Sequence, residues 1–528
     1  MAERTVFTGG HAFIGGADVR VDVAVEGDRI TEVGEGLRGG DVVDLDGGLL
    51  TPGFQDAHVH PIAGGVQLLR CDLQDLGTAG EYLEAIARYA AAHPTLEWII
   101  GGGWSLEAFP GGTPTRHALD AIVPDRPVFL PNRDSHGAWV NTRALELAGI
   151  RAATPDPADG RIEREPDGFP AGTLHEGAAG LVGRLVPPTT DAELDAGLRA
   201  GQELLFSVGV TAWQDAWVGP GLHGHGDLLP VYLRAAESGG LTARVSGALW
   251  WERDRGLEQL DELRERRTAR GRFTARTVKI MQDGVAENFT AAMTAPYRNG
   301  CGSGLSFVDP ELLKDYVTRL DAADFQVHVH ALGDRAVREA LDAIGAARAA
   351  NGPRGNRHQL AHLQVVHPDD HGRFAELDVI ANVQALWACH EPQMDELTLP
   401  FLDPVLAARQ YPFADLARAG ARLAAGSDWM VSSPDPLRAA HVAVNRTAPG
   451  EPADRPFLPD QALTLGAFLT AYTEGSAFAS HRDDVTGRIA PGMLADLAVL
   501  DRNPFARPAA EIGLTRVRST YVGGSRVY

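Results

Sequence analysis

The stretch FQVHVH (325–330), a helix-spaced run with apolar Val337, Ala340, Leu341 and Ile344, and the strand-like RHQLAHL (357–363) form one strand–helix–strand unit. The apolar period changes from two to about 3.6 and back again, which is the pattern of a parallel crossover. The pattern repeats. Candidate strands fall at 54–60, 206–211, 243–250, 276–283, 325–330, 357–363, 379–384 and 422–428, with helical segments between most of them. About eight such units imply an α/β fold in which a (β/α)8 TIM-like barrel closes on itself. An open doubly wound sheet is the main competitor, but no Gly-x-Gly-x-x-Gly turn follows a first strand to support a dinucleotide site.

Two regions depart from this rhythm. Residues 71–204 separate the first two barrel strands and are too many for a βα connection, so they are expected to form an inserted cap subdomain on the catalytic face. The chain ends, 1–50 and 485–528, alternate apolar and polar positions between Gly and Asp turns and read as short antiparallel strands. Neither is large enough for a core of its own, so the two are expected to pair into one small β-sandwich. That leaves 51–70 and 205–484 for the barrel.

A barrel of this kind carries its reactive groups at the C-terminal ends of its strands. The expected first strand ends in TPGFQDAHVHP (51–61), where His58 and His60 share one face while Val59 packs away. Asp56 lies one step deeper on that face, placed to orient a ligand or its water. Lys279 sits on the fourth strand, His330 ends the fifth, His362 is on the sixth and Asp428 ends the eighth. Each alone has an ordinary reading: Lys279 paired with Asp283, His330 and His362 as hydrogen-bonded core residues, Asp428 as a cap. Four imidazoles, a lysine and a carboxylate at one mouth make those separate readings improbable together.

The remaining candidates are weaker on pattern alone. His328 shares a face with His330 but lies deeper, as barrel filling or as support behind the ligands. His223 and His225, in GLHGHGD, repeat the His-x-His spacing in a glycine-rich loop where ligation is not expected. Trp104, Trp139 and Trp387 suit packing, although Trp387 follows the seventh strand and so lies near the mouth.

The formal net charge of −22 argues against a nucleic-acid partner and against anchoring on an anionic membrane surface, and favours a small-molecule substrate. The three cysteines, Cys71, Cys301 and Cys389, have no pairing pattern and read as reduced thiols. No basic-then-apolar leader or long apolar run is present, so a cytoplasmic protein is expected.

The motifs GFQDAHVH, GGGWSLEAFPGG, RDSHGAWVNTRALELAGI, VKIMQDGVAENFTAAMTAPY, VHALGDRAV, AHLQVV, AAGSDW and GRIAPGMLADLAVLD, in this order, resemble amidohydrolase family 3 of the amidohydrolase superfamily. They are similar to those of N-substituted formamide deformylases. The resemblance implies a metal-dependent hydrolase acting on an amide-like C–N bond, with two divalent ions. His58, His60 and Asp428 would hold one and His330 and His362 the other, with Lys279 bridging as a carboxylated lysine. Zinc is the expected metal, with manganese, iron or cobalt as alternatives. Asp428 would also move the proton. His136, Trp104, Asp283, Gln384 and Trp387 are the candidates for contacting substrate, and Glu176 lies in a motif of unassigned role. A homodimer is expected because relatives are often dimers. An ester, lactone, carbamate or cyclic amide is the alternative substrate class, and a non-catalytic regulator is the alternative function.

Overall fold

A computed structural model describes residues 4–220, 225–451 and 454–528. Eight strands form a parallel sheet in sequence order: β1 (Phe54–Val59), β2 (Val210–Val218), β3 (Arg244–Trp250), β4 (Phe273–Met281), β5 (Gln326–Ala331), β6 (Gln359–His362), β7 (Ile380–Val383) and β8 (Arg422–Ala425). All seven adjacent pairs are hydrogen-bonded in parallel. The fold is the expected (β/α)8 barrel, nearly closed.

β2 differs from the expected 206–211. The apolar run LLFSVGV is ambiguous by pattern, and the structure assigns its first half to the end of the helix Asp191–Ser207, which buries Leu194, Leu198 and Leu205. Gly209, at φ +82°, breaks that helix in a conformation that other residues adopt at a cost, and the strand begins only at Val210. β2 therefore reaches seven residues further along the chain than expected.

The chain ends share a sheet of six strands, in which Leu497–Leu500 pairs antiparallel with Leu49–Pro52. A second sheet of four strands is built from residues before position 45. Val6 of the latter is flanked by two different partners, antiparallel Ala24 and parallel Val42, so the ends are not wholly antiparallel as their alternation suggested. Phe7, Val23, Leu50, Leu497 and Tyr521 fill the space between the two sheets. The insertion has its own six-stranded sheet and its own core, centred on Tyr82, Trp104 and Trp139. Among the described residues, no helix is long and apolar enough to cross a membrane.

Candidate metal centre

β1 delivers His58 and His60 to the C-terminal mouth, where β8 turns over them. The His60 imidazole stands 3.1 Å from Asp428 Oδ1, and His58 Nε2 lies 3.4 Å from the same oxygen and 3.4 Å from Lys279 Nζ. His362 Nδ1 lies 3.9 Å from Asp428 Oδ2, and the His330 ring is centred 4.4 Å from that of His362. Three of the six expected ligands thus face a fourth, the Asp428 carboxylate, while Lys279 meets His58 and His330 adjoins His362. His362 and Asp428 both have positive φ, 79° and 55°. Such backbone is unfavourable for these residue types and turns each side chain sharply over the strand ends.

The electrostatics follow from burial. His58, His330 and His362 are held well below the ordinary imidazole range, by burial first and then by Lys279 or neighbouring rings, so they stay neutral and keep a lone pair. Burial also pulls Lys279 down to about 7. The alternative pairing of Lys279 with Asp283 is not made. Asp283 instead accepts the backbone N–H groups of Ala292, Leu332 and Gly333, at the start of the helix Asp334–Asn351, and burial pushes its carboxyl up to about 7.

Nδ1 of His60, Nδ1 of His362 and Oδ1 of Asp428 are buried and lack a hydrogen-bond partner. One such orphan costs roughly 1–3 kcal/mol, and those of His362 and Asp428, whose Nδ1 and Oδ2 lie 3.9 Å apart, call for an explanation. His58, His362 and Asp428 offer ligand atoms all within 4.8 Å of one another. Neutral imidazoles beside a carboxylate are the donor set of a divalent transition metal, so the residues fit the expected metal.

A cavity of about 720 Å³ opens beside these groups. Its walls combine His330, His362 and Asp428 of the barrel with Asp72, Arg133 and His136 of the insertion. His136 lies with its ring 5.6 Å from that of His330, and its Nδ1 donates to both oxygens of Glu176 at 3.0 Å. Burial opposes charge on His136, but the Glu176 carboxylate outweighs it and raises the imidazole to about 9. Thr290 Oγ1 donates to Glu176 at 2.7 Å and completes the support. Trp387 also lines the cavity, stacked against His362 at 5.6 Å with the planes 20° apart.

The other candidates lie behind the cluster or apart from it. Trp104 is fully buried in the insertion core, where its Nε1 donates to the Leu130 carbonyl at 2.7 Å and its ring meets Phe109 and Trp139 edge-on. Gln384 spends its oxygen on the His362 N–H at 2.8 Å and its nitrogen on Asn382 at 2.9 Å, so it orients β6 from behind. Asp56 does not touch an imidazole. Its carboxylate accepts the N–H groups of His58 and Ser427, with burial raising it to about 7, and so joins β1 to the end of β8. His328 contacts His58 directly, Nε2 to Nδ1 at 3.0 Å. His225 is buried against Thr189 at 2.8 Å, and His223 lies outside the described residues.

Three residues escaped sequence reasoning. Asp134 and Glu391 line the cavity, but nothing in their spacing distinguishes them from surface carboxylates. Gln214 sits fully buried beneath His58 and His328, three residues past the expected end of β2.

With this geometry, comparison with known proteins defines the class. The profile of the amidohydrolase family matches residues 41–528, and the chain belongs to that family. It is 31% identical over 525 residues to Protein LONG AFTER FAR-RED 3 of Arabidopsis thaliana, covering 96% of this chain and 88% of that protein. It is 28% identical over 535 residues to the N-substituted formamide deformylase of Arthrobacter pascens, covering 95% and 94%. An uncharacterized metal-dependent hydrolase from Pyrococcus horikoshii superposes with a TM-score of 0.73 at 25% identity, covering 96% of this chain and 99% of that one.

Proposed function

We propose that this protein is a metal-dependent hydrolase that cleaves the C–N bond of a small N-substituted amide or formamide. The observation that carries the reading is the buried cluster of His58, His362 and Asp428, whose ligand atoms lie within 4.8 Å of one another beside a cavity of substrate size. His58, His60 and Asp428 would hold one divalent ion and His330 and His362 a second. Such ions supply Lewis acidity and lower the pKa of a water from about 15.7 toward roughly 7.

The chain's own residues account for the rest. A lysine amine held near 7 is neutral in a substantial fraction of molecules at physiological pH. Its nitrogen can then add to the carbon of CO2 and lose a proton, giving an anionic carbamate in place of a cation that would repel metal. Asp428, at the centre of the cluster, is placed to accept the proton of the attacking water and return it to the leaving nitrogen. His136, charged by its pairing with Glu176, faces the cavity beside His330 and would stabilise negative charge developing on the carbonyl oxygen. Leu386, Trp387 and Met394 supply an apolar wall for the acyl or amine substituent.

The test combines metal analysis of the purified protein with a panel of N-substituted formamides, larger amides and esters, scored by release of acid and amine or alcohol. Turnover of amides above esters supports the reading. Metal-loaded protein that turns over esters alone, or nothing, overturns it.

A further inference from the structure

Beneath the candidate metal centre the barrel is filled by hydrogen-bonded amides, and their orientation is set from both ends by backbone groups. At one end Gln326 Nε2 donates to the carbonyls of Arg357 and Ala479, at 2.6 and 2.8 Å. Its Oε1 is therefore left to accept, from the Thr277 hydroxyl at 2.6 Å and from Gln214 Nε2 at 3.3 Å. That turns Gln214 Nε2 away from His328, and the Gln214 oxygen accepts from His328 Nδ1 at 2.7 Å. The same oxygen accepts from Gln359 Nε2 at 2.7 Å. At the other end Asn382 Nδ2 donates to the Ala57 carbonyl and to Gln359 Oε1, both at 2.9 Å, which demands the same orientation of Gln359.

An amide oxygen can only accept, so His328 Nδ1 carries a hydrogen. A neutral imidazole has a single N–H, so His328 Nε2 is an acceptor, and the His58 Nδ1 that faces it at 3.0 Å is the donor. Both rings are buried, and the His328 nitrogens face only an amide oxygen and the His58 ring, with no carboxylate there to hold a second proton. His58 Nε2 is then the atom with the free lone pair, and it is the one that points at Lys279 and Asp428.

We propose that Gln214 and His328 are positioning residues for His58: the relay Gln214–His328–His58 locks the Nδ1–H tautomer of His58 and presents its Nε2 to the metal. The tautomer stands on the hydrogen-bond geometry and the burial of the two rings, whereas its effect on metal binding rests on the function proposed above. A partner behind a metal-bound histidine typically matters by 10- to 100-fold in affinity.

The experiment uses the full chain labelled with 15N-histidine, with and without zinc, and assigns His58 by its loss in His58→Asn. The His58 ring should carry its hydrogen on Nδ1 in both samples, and Nε2 should shift when zinc is added. Gln214→Met, which removes the acceptor at similar length, should weaken zinc binding 10- to 100-fold in chelator competition. Gln214→Glu restores an acceptor oxygen at the same place and should recover most of the affinity, whereas a purely structural role would lower the melting temperature in both variants without that recovery. A His58 hydrogen on Nε2 overturns the proposal, as does Gln214→Met zinc affinity equal to that of the parent. If Gln214→Met does not fold, the ring spectrum of the unsubstituted protein decides. If the parent binds no zinc, the metal reading fails, while the tautomer is still read from the same sample.

Discussion

The backbone N–H of Asp428 donates to the carbonyl of His58 at 2.7 Å. This bond joins the end of the last barrel strand to the first at the level of the site, so two of the residues around the candidate metal also hold the seam. Asp56 reinforces the seam through Ser427, and Gly426 permits it, because a Cβ there would fall 2.6 Å from the His58 nitrogen. The residues that close the barrel here adjoin or belong to the candidate ligand set.

Because the seam uses the backbone of Asp428, its side chain can be changed without opening the barrel. Asp428→Asn should retain the fold while reducing kcat by at least about 100-fold, since a placed proton-transfer group typically contributes 10²–10⁴. The comparison is of kcat, metal content and melting temperature in one preparation. Near-parental turnover with the metal retained would assign the proton transfer to another group.

The metal prediction concerns β1. Replacing both His58 and His60 by Ala removes two of the side chains facing Asp428 and should empty one of two ion positions. Metal content per chain should fall by about one ion relative to the parent. An unchanged ratio would remove both residues from the ligand set.

How much of this was legible in the sequence depends on where each side chain's partners lie. The ligand-type residues were readable because barrel geometry sends strand-end side chains to one mouth, so period and spacing alone placed His58, His60, Lys279, His330, His362 and Asp428 together. Gln214 was hidden by a boundary. The run 204–210 has no period that separates helix from strand, and only the positive φ of Gly209 moves β2 far enough to bring Gln214 into the barrel. Trp104 was misplaced for a different reason. Its motif lies in the insertion, and whether an insertion residue faces the cavity or the insertion's own core is decided by packing against Phe109 and Trp139, which carries no short-range signal.

That packing makes a sharp contrast between two tryptophans. Trp104→Phe should lower stability, through loss of buried surface and of the bond to Leu130, while leaving the ranking of amide substrates unchanged. Trp387→Ala should reorder that ranking toward bulkier substituents, since the ring lines the cavity against His362. Melting curves and a substrate panel on both variants check the pair, and a changed ranking in Trp104→Phe alone would show that the insertion core shapes the pocket at a distance.

The last prediction concerns pH and lies on the outer side of the barrel. Asp321, on the helix Pro310–Ala322, accepts from Asn351 and Asn356 at 2.8 Å and from His358 Nε2 at 2.9 Å. His358 Nδ1 in turn accepts the N–H of Val327, in the strand that carries His328 and His330. Burial works to raise the Asp321 carboxyl, but these donors, His358 foremost, outweigh it and hold the group at about 2. The folded pKa is thus below the unfolded value of about 3.9, so the stability Asp321 contributes is fully present above about pH 4 and is lost as pH falls toward 2. A difference of nearly two units corresponds to roughly 2 kcal/mol. Asp321→Asn should therefore lower the urea midpoint at pH 7, and the gap from the parent should narrow between pH 4 and pH 2. A gap that stays constant across that range would show that shape, and not the charge of Asp321, holds His358 and the start of β5 in place.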